Sequence, residues 1–152
     1  MRASKKSFVE VINLSTKPAP RKFLAELDAW LRPRLATRLA RRDFMRKNLL
    51  AVYVDARRGR ALNKTFRGKN YATDVLSFAP LEADALGELV FCVEVLTRQA
   101  RVHQLSLREE LAYLYIHGFL HLLGYDHEKS KRAAAEMFAI QDALFDSFLA
   151  GR

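Results

Sequence analysis

The segment from Ser106 to His127 constrains the fold more tightly than any other part of the chain. Ser106-Leu107-Arg108-Glu109 is a capping box, in which the serine hydroxyl and the glutamate carboxylate satisfy exposed amides at a helix start. A helical pattern then runs to Leu123 and stops at Gly124, a residue free to take the left-handed conformation that ends a helix. Within the pattern His117 and His121 project from one face, about 6 Å apart along the axis. Past Gly124 the reversing chain swings His127 back toward the pair. Leu114, Ile116, Phe119, Leu120, Leu122 and Leu123 make the rest of the segment apolar. The fold must therefore bring three imidazoles to one point at the C-terminal end of an otherwise apolar helix.

Clustered histidines can be packing residues, but three at ligand spacing read as a metal site, because imidazole nitrogen is a preferred zinc ligand. The spacing matches the H-E-x-x-H-x-x-G-x-x-H signature of metzincin peptidases at every histidine and at the glycine. It departs at the glutamate, where Gly118 stands and is expected to leave space beside the metal. A closed structural site needs a fourth ligand, and neither Cys92 nor His103 has motif spacing. Three ligands with an open position favour a catalytic ion, which polarises a bound oxygen or lowers the pKa of a bound water to about 7. Zinc, one ion per chain, is the expected metal, and sequence does not separate it from nickel or another imidazole-preferring ion.

Periodicity supplies the other elements. Phe8 to Leu14 has strand character, with Phe8, Ile12 and Leu14 on one face. A helix follows near Pro20, with Phe23, Leu24, Leu27, Trp30 and Leu31 as its apolar stripe and Pro33 interrupting or restarting it. Leu49 to Val54 is nearly apolar throughout, as befits a central strand. Ala61 to Phe66 is a short helix ended by Gly68. Val75 to Phe78 and Leu89 to Cys92 are two more strands, separated by a loop containing Pro80 and Gly87. Helices over Val93 to His103 and through Met137, Ile140, Leu144 and Phe148 complete the pattern, with Met137 read as core rather than as a metzincin-style Met-turn. The class is α+β, a small mixed sheet of about four strands packed with helices, compatible with a zincin-like architecture around the metal helix.

At 152 residues, with no low-complexity tract or internal repeat, residues 1–152 are expected to form a single domain. The start, Met1 to Lys6, leads into alternation rather than an apolar secretory core, and apolar runs are too short to span a bilayer; no membrane partner is expected, a basic membrane-surface helix being the weaker option. One cysteine cannot form an internal disulfide, which suits a cytoplasmic location. Charge is unevenly divided: residues 1–69 hold 19 basic and 5 acidic side chains, whereas residues 70–152 hold 7 and 12. The basic half, including Arg32, Arg34, Arg38, Arg41 and Arg42, is expected to present a cationic face to a polyanion while the other half carries the metal. Beside a hydrolytic-type metal site, nucleic acid is the leading substrate class.

The stretch Leu62 to Phe78 is the second informative region. Arg67 and Lys69 flank Gly68, where the backbone can approach a ligand closely, and an arginine there can grip a phosphate bidentately. Taken alone, Arg-Gly-Lys also reads as an ordinary basic surface loop.

Three stretches in this order and spacing, Leu62 to Phe78, Leu86 to Cys92, and His117 to His127 read as H-G-x-L-H-L-x-G-Y-D-H, resemble the YbeY family of bacterial endoribonucleases and ribosomal RNA maturation factors. The resemblance implies a single-domain α+β fold, with zinc on His117, His121 and His127. It further implies single-strand-specific RNA cleavage in ribosomal RNA maturation, at the 3′ end of the small-subunit RNA, and in ribosome quality control. The implied partners are ribosomal RNA and the ribosome or its small subunit. The family's arginine, in its Y-R-G-K-type segment, falls on Arg67, which the resemblance makes catalytic and substrate-binding, beside Lys69 as a substrate contact. Phe66 replaces the commoner tyrosine, and Ser77-Phe78 continues as Ala79-Pro80 instead of the usual Pro-Phe. Neither change removes a metal ligand.

On this reading Arg67 offsets charge developing on the phosphoryl oxygens, and the basic half holds the strand electrostatically. The general base is open between a metal-activated water, Asp126, the ribose hydroxyl of the RNA and an outside group. Asp126 reads rather as a group that orients an imidazole or caps the turn, and Glu128 has only adjacency in its favour. Two other classes stand beside the nuclease: a non-catalytic, zinc-containing ribosome-assembly factor, and a metzincin-like metallopeptidase, which Gly118 and the cationic half oppose.

Overall fold

The computed structural model describes residues 7–151, so the basic start from Met1 to Lys6 lies outside the described residues. In chain order the elements are β1 (Val9–Asn13), α1 (Arg21–Leu39), β2 (Asn48–Val54), α2 (Ala56–Arg67), β3 (Val75–Phe78), β4 (Ala85–Cys92), α3 (Val93–Val102), α4 (Leu107–Leu122) and α5 (Lys131–Ala150). The four strands form one mixed sheet in the order β1-β2-β4-β3. β1, β2 and β4 run parallel, and β3 closes one edge antiparallel to β4. This is the α+β class expected.

β2 is apolar on both faces because both are covered. On one face Leu49, Ala51 and Tyr53 join Leu89 and Phe91 of β4 against Leu24, Leu27, Leu31 and Leu35 of α1 and Leu111, Tyr115 and Phe119 of α4. On the other, Val52 and Val54 join Leu76, Val90 and Cys92 beneath Leu62 of α2. The histidine helix α4 thus lies on the larger core, with its C-terminal end near β3.

Several elements differ from their sequence reading. In β1 the core face is Val9 and Val11, whereas Ile12 and Leu14 are exposed. Parallel pairing sets Val9 against Leu49 and Val11 against Ala51, so the odd positions follow the core face of β2, and a one-residue choice of phase inverts the whole strand. α1 runs unbroken through Pro33, because that residue is exposed while Leu31 and Leu35 keep the buried stripe continuous on either side. α2 begins at Ala56 rather than Ala61: Asp55 accepts the Arg58 amide at 2.9 Å, and its first turn is too charged to show an apolar period. Its end at Gly68, in the left-handed region, is as expected. Gly87 lies in β4 rather than in the loop before it. Its φ is +137°, next to a register shift against β2, and a Cβ there would meet the Phe78 carbonyl oxygen at 2.5 Å.

Part of the basic half is structural. Arg32 is buried, donating to Asp28 at 2.8 Å and to the carbonyls of Phe44 at 2.9 Å and Lys47 at 2.6 Å, while the Tyr115 hydroxyl donates to Asp28 at 2.6 Å. A buried ion pair survives its desolvation cost only when its remaining donors and acceptors are satisfied, and these are. Arg41 pairs with Asp43 and donates to the Leu123 carbonyl at 3.1 Å, next to the end of α4. Arg34, Arg38 and Arg42 remain as exposed cations of that group.

Candidate metal centre

Two devices fix the histidine helix. At its start Ser106 and Glu109 form the capping box, with the Ser106 amide donating to Glu109 Oε1 at 2.8 Å and the Glu109 amide to Ser106 Oγ at 3.1 Å. Along its buried flank Gly118 meets β4 so closely that a Cβ would stand 2.7 Å from Leu89 Cδ2. The missing side chain therefore faces the sheet, which corrects the expectation that Gly118 leaves space beside a metal. Its role is to let the helix approach the strand.

The helix ends as the sequence required. Gly124 has φ +103° with open space around it, so backbone conformation rather than crowding calls for glycine. The Gly124 amide donates to the His121 carbonyl at 3.0 Å and the Tyr125 amide to Leu120 at 3.1 Å. Asp126 Oδ1 then accepts the Glu128 amide at 2.9 Å, tightening the turn that returns His127. Ser130 caps α5 through the Ala133 amide.

Within this frame His117, His121 and His127, each half-buried, place one ring nitrogen apiece within 4.8 Å of the others. His117 Nδ1 is 2.8 Å from Oε1 of the fully buried Gln141 on α5. An amide oxygen only accepts, so the proton sits on Nδ1 and the His117 Nε2 lone pair faces His121 Nε2, 3.1 Å away. Burial lowers the His117 pKa, against an opposing hydrogen bond to Gln141 and with a further lowering from His127. Burial likewise lowers the His121 pKa, reinforced by the two other histidines and opposed by Asp126 and the Tyr125 backbone. Both rings are thereby held as neutral ligands. Nδ1 of His127 is buried without a hydrogen-bond partner. Three converging imidazoles, two kept neutral and one with an unsatisfied nitrogen, fit a divalent cation. The cluster can hold a metal ion.

The triad opens into a cleft of about 450 Å³. Arg67 and Lys69 line it from the end of α2, Asp74, Val75 and Ser77 from β3 and its approach, and Asp126 and Glu128 from the histidine turn. Every sequence-predicted site residue, His117, His121, His127, Arg67 and Lys69, thus reaches one cavity. Arg67 Nη2 lies 3.6 Å from Glu128 Oε1, both side chains being substantially exposed. Sequence reasoning missed Gln141 and gave Glu128 no partner. Gln141 left one signal: it interrupts the apolar stripe of α5, four residues after Met137 and three before Leu144, where a polar residue must be buried.

Fold and cleft together define an α+β protein with a three-histidine cluster able to hold a metal ion, in a cleft that also carries Arg67 and Lys69. The family model for Endoribonuclease YbeY matches residues 15–149, and the chain belongs to that family. It is 47% identical over 146 residues to the Endoribonuclease YbeY of Bdellovibrio bacteriovorus, covering 93% of this chain and 95% of the relative. It is 45% identical over 101 residues to that of Chromobacterium violaceum, covering 62% and 60%. The fold also resembles the solution structure of TM1509 from Thermotoga maritima, with a TM-score of 0.62, 29% identity, and 90% and 87% of the two chains covered.

Proposed function

We propose that residues 1–152 form one zinc-dependent endoribonuclease domain that cleaves single-stranded RNA. Its place is in ribosomal RNA maturation, at the 3′ end of the small-subunit RNA, and in ribosome quality control, in the cytoplasm with the ribosome or its small subunit as partner. The observation that carries this reading is the single cleft in which three imidazoles face Arg67 and Lys69. His117, His121 and His127 would hold the ion, which when bound supplies Lewis-acid polarisation and acidifies a bound water. Gln141 keeps the proton of His117 on Nδ1 and so leaves Nε2 for coordination. Arg67 is both the substrate anchor and the group that offsets charge developing on the phosphoryl oxygens. Its ion pair with Glu128 is a long, exposed contact that a phosphate can displace. Lys69 adds a point charge for the strand. Family membership favours this reading over both the non-catalytic assembly factor and the metallopeptidase.

The test is to measure bound metal and the cleavage of single-stranded and duplex RNA for wild type, His121→Ala and Arg67→Ala. His121→Ala should lose metal and cleavage together. Arg67→Ala should keep its metal and cut roughly 100- to 1,000-fold more slowly, the usual effect of removing a group that stabilises transition-state charge. A folded, zinc-loaded wild type that cuts no RNA, alone or with ribosomes, would refute the nuclease reading.

A further inference from the structure

Two large aromatic side chains stand exposed on the segment that supplies Arg67, Lys69 and Thr73 to the cleft. Phe66 is 62% and Tyr71 53% exposed. They bracket the cleft-lining Arg67 and Lys69 in sequence, and Thr73, two residues past Tyr71, lines the cleft again. Their placement is built rather than incidental. The Phe66 ring rests edge-on against Phe78, with centroids 5.1 Å apart, and Phe78 belongs to the smaller core beneath α2. The loop carrying Tyr71 is pinned to α2 at two points: the buried Asn63 donates to the Tyr71 carbonyl at 2.8 Å, and Arg60 donates to Asn70 Oδ1 at 2.8 Å. A rigid loop that presents an aromatic to solvent has little value for packing.

β3 connects the two surfaces. As an edge strand it turns Val75 and Ser77 toward the cleft and Leu76 and Phe78 toward the α2 side. A strand of nucleic acid leaving the cleft over this edge arrives at Phe66. The surroundings are cationic: between Asp55 and Asp74 the chain has Arg57, Arg58, Arg60, Lys64, Arg67 and Lys69 and no carboxylate, and all six are exposed. Exposed aromatics interleaved with cations are the composition of surfaces that bind single strands, where bases stack on rings and phosphates meet lysine and arginine. An apolar protein partner would not select such a charge, and a duplex keeps its bases out of reach.

We propose that Phe66 and Tyr71 form a stacking platform for the unpaired bases that flank the phosphate held in the cleft. The platform, rather than the metal centre, then sets the preference for single strands. The proposal rests on the nuclease reading for its choice of RNA as ligand, and it is tested by binding so that the two can fail separately. The probe is a short, ribose-methylated single-stranded RNA carrying one fluorescent purine analogue, titrated with the metal-loaded full chain.

Phe66→Ala and Tyr71→Ala should each weaken binding roughly 5- to 150-fold, the range for losing one stacked base, and should relieve quenching of the analogue. The dependence of affinity on salt should stay unchanged, whereas Lys69→Ala should flatten it, because counterion release follows the phosphate contacts and not the stacking. Phe66→Leu, which keeps an apolar contact with Phe78, should bind as weakly as Phe66→Ala, and Phe66→Trp should restore affinity. Binding unchanged in the alanine variants, or rescue by leucine, would overturn the platform even if the wild type cleaves RNA. Weakened binding with the predicted rescue would establish it even if the wild type cleaves nothing, in which case the nuclease reading alone fails.

Discussion

Replacing Gly118 by alanine tests whether helix approach, and not room for a metal, accounts for the glycine in the histidine motif. In an exposed helix interior this substitution gains about 1 kcal/mol from propensity. Here the new methyl would sit 2.7 Å from Cδ2 and 3.1 Å from Cδ1 of Leu89, which is fully buried and has nowhere to turn without displacing its neighbours. Overpacking of that kind costs about 1–3 kcal/mol, so the expected net loss is about 1 kcal/mol, up to about 2 kcal/mol. The sign should reverse when Leu89 is already alanine, because the crowding atoms are gone and the methyl fills part of the hole. A double-mutant cycle by urea unfolding of metal-free protein, with unchanged denaturant slopes as the check on two-state behaviour, should give a coupling of about 2–3 kcal/mol. Stabilisation by Gly118→Ala in the wild-type background, or the same loss in both backgrounds, would refute the close-approach account.

Three further outcomes follow from the geometry. Gln141→Leu should leave the three histidines in place yet weaken metal binding about 10- to 100-fold in chelator competition, with Gln141→Glu, which keeps an acceptor for His117 Nδ1, recovering most of it. Gly87→Ala should destabilise the fold by more than about 2 kcal/mol in thermal or urea unfolding, because it combines a positive φ with a clash against backbone oxygen that cannot swing away. The depressed pKa values of His117 and His121 mean that the folded chain binds fewer protons than the unfolded one. The metal-free protein should therefore be fully stable above the unfolded histidine pKa of about 6.5 and lose stability as pH falls below it. Melting temperatures measured across that range check the sign, and a rise on acidification would contradict it.

How much was legible in the sequence depended on whether one interaction or several set each feature. The capping box, Gly124 and the i,i+4 histidines act through local backbone geometry, so α4 and its turn could be read directly. β2 could be placed centrally because a strand apolar on both faces must be covered on both. The sequence phases β1 the wrong way round, since Phe8, Ile12 and Leu14 are as apolar as Val9 and Val11, and only pairing with β2 decides between them. Pro33 and Gly87 were misread because each breaks a local rule at a position where the tertiary surroundings tolerate or require it. Arg32 counts as surface charge in the sequence, but in the fold it meets Asp28, itself held by the Tyr115 hydroxyl, and the carbonyls of Phe8, Phe44 and Lys47. The ligand set was visible as spacing, whereas Gln141 and the Arg67–Glu128 pair exist only once α5, α2 and the histidine turn meet.

Stripping the metal from the wild-type protein and returning zinc stepwise, while single-stranded RNA cleavage is followed, decides whether the three-histidine site performs RNA cleavage. Circular dichroism at each step establishes that the chain remains folded. Cleavage is predicted to vanish on stripping and to rise linearly to a plateau at one zinc per chain. Undiminished cleavage by the folded, metal-free protein would contradict the account, as would its absence at full occupancy of His117, His121 and His127.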